Sequence, residues 1–319
     1  MRKLLLILSF AVACLSYGNA QTTRHASHMV PTGKGWGVQA PEGMAPPNVQ
    51  PRTVTTGNGI NYHGGPVMSG NPVNVYFIWY GNWINGPKPS DSQATVNLIN
   101  ALFGGSGGIG NSGYFKINTT YGDSTQNVSG NISVAGSTTD SYSQGKRLRD
   151  SGVKAVVSNA ISSGRLPNST NGVYFVLTSS DVRETSGFCS QYCGWHTHAT
   201  ILSSDIKYAF VGNPDRCPSA CEMQTVSPNG DSGADGMASI MAHESEEAAT
   251  DPDLNAWYDT SGQENADKCA WKFGPTTGSI GNGAYNETFG THHWLIQMNW
   301  ENSRGGGCDQ TLGGTFYNQ

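Results

Sequence analysis

The sequence predicts an α/β fold, a mixed sheet with helices packed on it, and three observations carry that expectation. Strand-length apolar runs alternate with amphipathic stretches through the first two thirds of the chain, the order that builds a mixed or largely parallel sheet. A helical stretch in the second half carries His243, Glu244 and Glu247 at metal-ligand spacing. The six cysteines outside the N-terminal apolar run all lie after residue 188, so disulfides brace the second half.

The elements follow in order. Val73–Tyr80 (VNVYFIWY) is rich in β-branched and aromatic residues and reads as a buried strand. Ser90 caps a helix running to Leu102, with Val96, Leu98, Ile99 and Leu102 as its apolar stripe. Val128–Val134 alternates as a strand. Residues 144–163 form a helix with Leu148, Val153, Val156, Val157 and Ile161 inward. Val173–Leu177 is a second buried strand. Cysteine-rich loops follow, then a short strand at Tyr208–Val211 and a helix over Gly236–Thr250.

The first twenty residues read as an export leader. Arg2 and Lys3 precede an apolar run from Leu4 to Leu15, and Gly18-Asn19-Ala20 offers a cleavage point after Ala20. The run is too short to span a bilayer, which takes roughly 20 apolar residues. Residues 21–58 hold five prolines without periodicity and read as a linker or pro-segment. Residues 59–319 then make one domain. Removing Arg2 and Lys3 leaves 16 basic against 23 acidic residues, a net charge of −7. That balance argues against nucleic acid or an anionic membrane as partner. The chain is expected to be secreted, extracellular and monomeric.

Six cysteines allow fifteen connectivities. The adjacent pairing, Cys189 with Cys193, Cys217 with Cys221 and Cys269 with Cys308, is the expectation taken here. Five Asn-x-Ser/Thr sequons, at Asn118, Asn127, Asn131, Asn168 and Asn286, are potential glycan acceptors.

The chemistry centres on Ala238–Asp253. Positions four apart share a helix face, so His243 and Glu247 clamp one ion while Glu244 reaches a water bound to it. This is the H-E-x-x-H arrangement of zinc peptidases with Glu in place of the second His, and zinc accepts carboxylate oxygen as it accepts imidazole nitrogen. In metzincins a third ligand returns ten positions after the first, which here is Asp253, beyond a helix end enforced by Pro252. The fold expected is therefore zincin-like, of the metzincin kind. Thr250 stands where a turn-easing Gly is usual.

The opposing interpretation makes Glu244, Glu246 and Glu247 a solvated acidic face. Against it, five carboxylates crowd the helix C-terminal region, where the dipole disfavours negative charge. Tyr258 is a candidate oxyanion donor, or an aromatic packing residue. His196, His198, His292, His293, Asp259, Glu264 and Asp267 are read first as ordinary hydrogen-bonding residues.

Several strings resemble one known family. Tyr62-His-Gly-Gly-Pro-Val-Met-Ser-Gly, VNVYFIWYGNW, FCSQYCGWH, KYAFVGN, CPSAC and SPNGDSGADGM occur in order from about residue 60, and with them the chain is similar to the EXORDIUM (phosphate-induced protein 1) family. The resemblance implies an extracellular, cell-wall-associated protein of the kind linked to plant growth. With its H-E-x-x-E string the chain looks like a microbial-type relative of that family.

Two functions are expected from these observations. The first is a secreted zinc-dependent peptidase or amide hydrolase, with His243, Glu247 and Asp253 holding Zn2+, Glu244 and Tyr258 as catalytic residues, and a peptide as substrate. The alternative is a non-catalytic extracellular protein that binds a cell-wall polymer or signals, with Trp79, Trp83 and Trp195 as its aromatic platform. In that case the carboxylate cluster holds a structural Ca2+.

Overall fold

The computed structural model describes residues 54–104 and 107–317. The leader and most of the proline-rich stretch lie outside the described residues. A hairpin of Thr55–Thr56 on Asn61–Tyr62 draws the end of that stretch into the folded unit.

The central sheet has five strands: β1 (Val73–Tyr80), β2 (Ile132–Asp140), β3 (Gly172–Thr178), β4 (Gly194–Ile201) and β5 (Ser204–Gly212), in the spatial order β2-β1-β3-β5-β4. The first four in that order run parallel, and β4 pairs antiparallel with β5 as an edge strand. The sheet is thus mixed, as expected. Strands β1 and β3 lie at its centre and are apolar on both faces, the pattern a doubly covered parallel sheet requires.

Three helices cover it: α1 (Gln93–Phe103), α2 (Asp150–Ser162) and α3 (Ser232–Thr250). The starts of α1 and α3 are tied together through one carboxylate. Asp231 accepts from the Ala234 amide at 2.9 Å as the α3 cap, and from Ser90 Oγ and Thr95 Oγ1 at 2.5 Å each. Phe103 of α1 packs edge-on against Phe77 of β1, and Phe77 against Phe175 of β3. Phe77, Phe175, Ala209 and His196 stand at paired register positions, so all four face the α1/α3 side.

Three expectations need correction. Gly194–Ile201, read as loop among cysteines, is strand β4. Its partner β5 follows after a two-residue turn in which Leu202 and Ser203 adopt φ of 47° and 67°. Two disulfides also run between the cysteine pairs rather than within them: Cys189–Cys217 and Cys193–Cys221, with Cys269–Cys308 as expected. Cys217 and Cys221 are one helical turn apart and project from one side, so both reach across to the loop preceding β4. Finally, Trp79, Trp83 and Trp195 are 3%, 5% and 2% exposed and belong to the core, not to a surface platform. Trp195 lies on the opposite face of β4 from His196 and packs against Tyr208 and Phe210.

No helix among the described residues is long and apolar enough to cross a membrane.

Candidate functional site

Helix α3 is buried almost from end to end, and its Ala, Gly and Ser residues permit that close approach. His243, Glu244, Glu246 and Glu247 are all 0% exposed, so the acidic run is not a solvated face. Charged residues are almost never buried to this degree unless paired or bound to a metal.

His243 and Glu247 meet as the one-turn spacing requires. His243 Nε2 lies 3.0 Å from Glu247 Oε1 and 3.5 Å from Asp267 Oδ1. Glu247 Oε1 also accepts the Asp267 amide at 3.1 Å. On the other side of the ring, Gln297 Nε2 lies 2.8 Å from His243 Nδ1 and donates to the Ala266 carbonyl at 3.1 Å. The Gln297 amide N–H in turn donates to Ser239 Oγ at 3.1 Å. Glu244 stands beside this pair, and neither of its carboxylate oxygens has a hydrogen-bond partner. Gly194 of β4 leaves the room: a Cβ there would lie 2.7 Å from Ile240 Cγ2 and 3.0 Å from Glu244 Oε1.

His196 of β4 reaches the same place from the sheet. Its Nε2 lies 3.2 Å from both carboxylate oxygens of Glu264 and 3.6 Å from Glu247 Oε2. One donor atom each from His196, Glu247 and Glu264 fall within 4.8 Å of one another, as do donors from His243, Glu244 and Glu247. Glu247 is common to both groups.

Electrostatics follow from burial. His196 is pushed down to about 3 by desolvation and then by neighbouring His243, which keeps its imidazole neutral. Burial alone would lower His243 too, but the Glu247 carboxylate and the hydrogen bond toward Asp267 override it and hold the ring well above its ordinary value. Burial lifts Glu247 to about 7, and lifts Glu244 and Glu264 well above the carboxylate range, with neighbouring carboxylates adding to each.

The remaining expected residues are placed differently. Asp253 sits with His198 and Asp205 in a separate, half-buried group, where Lys207 Nζ approaches its Oδ1 at 3.0 Å. The reason is the turn after α3. Asp251 accepts the amides of Asn255 and Ala256 at 2.6 and 2.5 Å, which folds residues 252–256 back and carries Asp253 toward β5. Tyr258 pairs with Asn61 in a short strand, stacks on His63 at 3.6 Å between ring centroids, and has its hydroxyl raised to about 12 by burial. His292 and His293 lie in the hairpin Glu287–Phe289/His292–Trp294.

Comparison with known proteins identifies the fold's relatives. The family described as "Phosphate-induced protein 1 conserved region" matches residues 60–300. Protein EXORDIUM-like 3 of Arabidopsis thaliana is 34% identical over 274 residues, covering 76% of this chain and 80% of that protein. Protein EXORDIUM-like 5 of the same plant is 34% identical over 250 residues, covering 71% and 67%. Protein PHOSPHATE-INDUCED 1 of Nicotiana tabacum is 28% identical over 222 residues, covering 62% and 67%. No solved structure matches this chain.

Proposed function

Since the chain belongs to the phosphate-induced protein 1 (EXORDIUM) family, we propose that it works outside the cell as a non-catalytic, surface- or wall-associated protein built around a buried metal ion. His243 and Glu247 are the ligands this reading takes from α3. The observation that carries it is the burial of His243, Glu244 and Glu247, each 0% exposed. A peptidase must admit an extended chain to its ion, and sites that bind ligands are concave and reachable. Three disulfides and a leader-like N-terminus support an oxidising, extracellular setting.

The surface assigned to a wall polymer is the groove of about 440 Å3 lined by Trp271, Phe273, Ile280, Met298 and Tyr317. Trp271 is 44% exposed there, presenting an amphipathic ring of the kind favoured at contact surfaces.

One feature favours a second reading, a zinc-dependent hydrolase of zincin-like fold: Glu244 keeps both oxygens unpartnered beside His243 and Glu247, as a general base would. The two readings separate in one experiment. The purified protein, His243→Ala, Glu244→Gln and Trp271→Ala are analysed for metal, assayed on a peptide library, and pulled down with insoluble wall polysaccharides. The non-catalytic reading expects metal lost only in His243→Ala, no turnover in any form, and pull-down lost in Trp271→Ala. Turnover abolished by Glu244→Gln would establish the hydrolase instead.

A further inference from the structure

The polar face of α3 serves two donor groups, not one. His243, Glu244 and Glu247 each bring a donor atom within 4.8 Å of the others, and so do His196, Glu247 and Glu264. Only Glu247 belongs to both, and its two oxygens divide between them. Oε1 lies 3.0 Å from His243 Nε2, while Oε2 lies 3.6 Å from His196 Nε2. On that second side His196 Nε2 is also 3.2 Å from Glu264 Oε1. Zinc holds imidazole nitrogen and carboxylate oxygen at about 2.0–2.2 Å, so donors sharing one ion sit about 3–3.6 Å apart. The approaches on each side of Glu247 fall in that range.

A second, independent observation points to cations. Both oxygens of Glu244 and Oε2 of Glu247 are buried without a hydrogen-bond partner. Among the described residues, the ion pairs that reach Glu247 and Glu264 come from His243 and His196, not from Lys or Arg. Buried carboxylate oxygens left without a partner are costly, and a cation satisfies several at once. One ion beside His243 engages Glu244 but leaves Glu247 Oε2, which is turned toward His196. An ion between His196 and Glu264 takes that oxygen.

We propose that this protein holds a pair of divalent metal ions bridged by the Glu247 carboxylate, with His243 and Glu244 on the first and His196 and Glu264 on the second. The inference rests on the metal reading above and adds a second ion to it. Paired ions in two-metal sites sit about 3.5–4 Å apart, a separation that one carboxylate spans through its two oxygens. Asp267, with Oδ1 3.5 Å from His243 Nε2, brings a fourth carboxylate beside Glu244, Glu247 and Glu264, so the charge of two divalent ions is balanced. Imidazole with carboxylate suits zinc and its first-row neighbours. Calcium asks for about six to eight oxygens. Asp253 stays outside the pair, since Lys207 Nζ lies 3.0 Å from its Oδ1 and repels a cation. The first ion sits on α3 alone, whereas the second ties α3 to edge strand β4 and to the 264–267 loop.

The test uses the purified protein dialysed against Zn2+, with the variants His196→Ala, Glu264→Ala and Asp253→Asn. Elemental analysis is expected to find two zinc ions per chain in the parent and in Asp253→Asn, and half that content in the other two. Glu244→Gln keeps an oxygen donor and is expected to retain both ions. Crystals of the zinc-loaded parent, measured at the zinc absorption edge, are expected to show two anomalous peaks, one beside each oxygen of Glu247. That measurement needs no variant and so stands even if His196→Ala fails to fold. A single peak beside His243, or one zinc per chain unchanged in His196→Ala and Glu264→Ala, overturns the pair and leaves the metal reading standing. A second zinc lost in Asp253→Asn places it at His198 and Asp205 and likewise overturns the pair. No zinc taken up by the parent overturns both and leaves protons as the only charge on these carboxylates.

Discussion

His196 Nε2 and the Glu264 carboxylate lie 3.2 Å apart although 68 positions separate them in the chain, and both are buried to within 1%. The contact joins the edge strand to the loop that follows Tyr258, directly over the polar face of α3. Its position makes the surroundings of β4 sensitive to small changes.

Gly194 is the first case. A Cβ there would press on Ile240 Cγ2 at 2.7 Å, and on Glu244 Oε1 and the Phe210 carbonyl at 3.0 Å each. Overpacking of this kind costs about 1–3 kcal/mol. Gly194→Ala is expected to lower the unfolding free energy by that amount, read as a lower urea midpoint with an unchanged slope. An unaltered midpoint would show that β4 can move away from α3 freely.

The Asp231 cap is a second. Asp231→Ala removes the acceptor for the Ala234 amide and for the Ser90 and Thr95 hydroxyls together. A loss of about 1–3 kcal/mol is expected in chemical unfolding. Asp231→Asn keeps an acceptor for the amide and should recover part of it.

Removal of the Cys269–Cys308 bridge by paired Ala substitution opens a 39-residue separation beside the 264–267 loop. The expected cost is about 2–5 kcal/mol, read as a lower thermal midpoint. In the same preparations, non-reducing peptide maps should recover Cys189 with Cys217 and Cys193 with Cys221. Peptides linking Cys189 to Cys193 would contradict the fold around β4.

Acid–base behaviour offers a further check at Asp235, in the first turn of α3. Burial raises it from 3.8 to about 7, against the opposing hydrogen bonds from Ser227 and Asn229. Its folded pKa lies above the unfolded one. Its favourable contribution is therefore complete below pH 3.8 and is lost as pH rises to about 7. The loss is about 4 kcal/mol at most. Asp235→Asn should flatten the stability profile across that window, measured as unfolding free energy at successive pH values. A profile identical to the parent's would mean that Asp235 ionises normally in the folded chain.

Local pattern alone determined much of this protein. The apolar runs placed β1, β3 and β5, the 3.6-residue period placed α1, α2 and α3, and one helical turn put Glu247 beside His243. These are relations between near neighbours, governed by backbone geometry and side-chain periodicity. The tertiary structure decided the rest. GWHTHATI alternates too weakly to announce a strand, and only pairing with β5 makes it one and turns His196 toward α3. The cysteine partners depended on which segment the short helix at Pro218–Cys221 would face. Asp253 has ligand spacing along the chain, yet Asp251 folds the turn and hands it to Lys207. Glu264 had no motif to mark it, because its partner was brought to it by sheet closure rather than by sequence. Burial of a charge is likewise a property of what packs over a helix, so the same Glu-rich turn would read as a solvated surface until β4 and the 264–267 loop cover it.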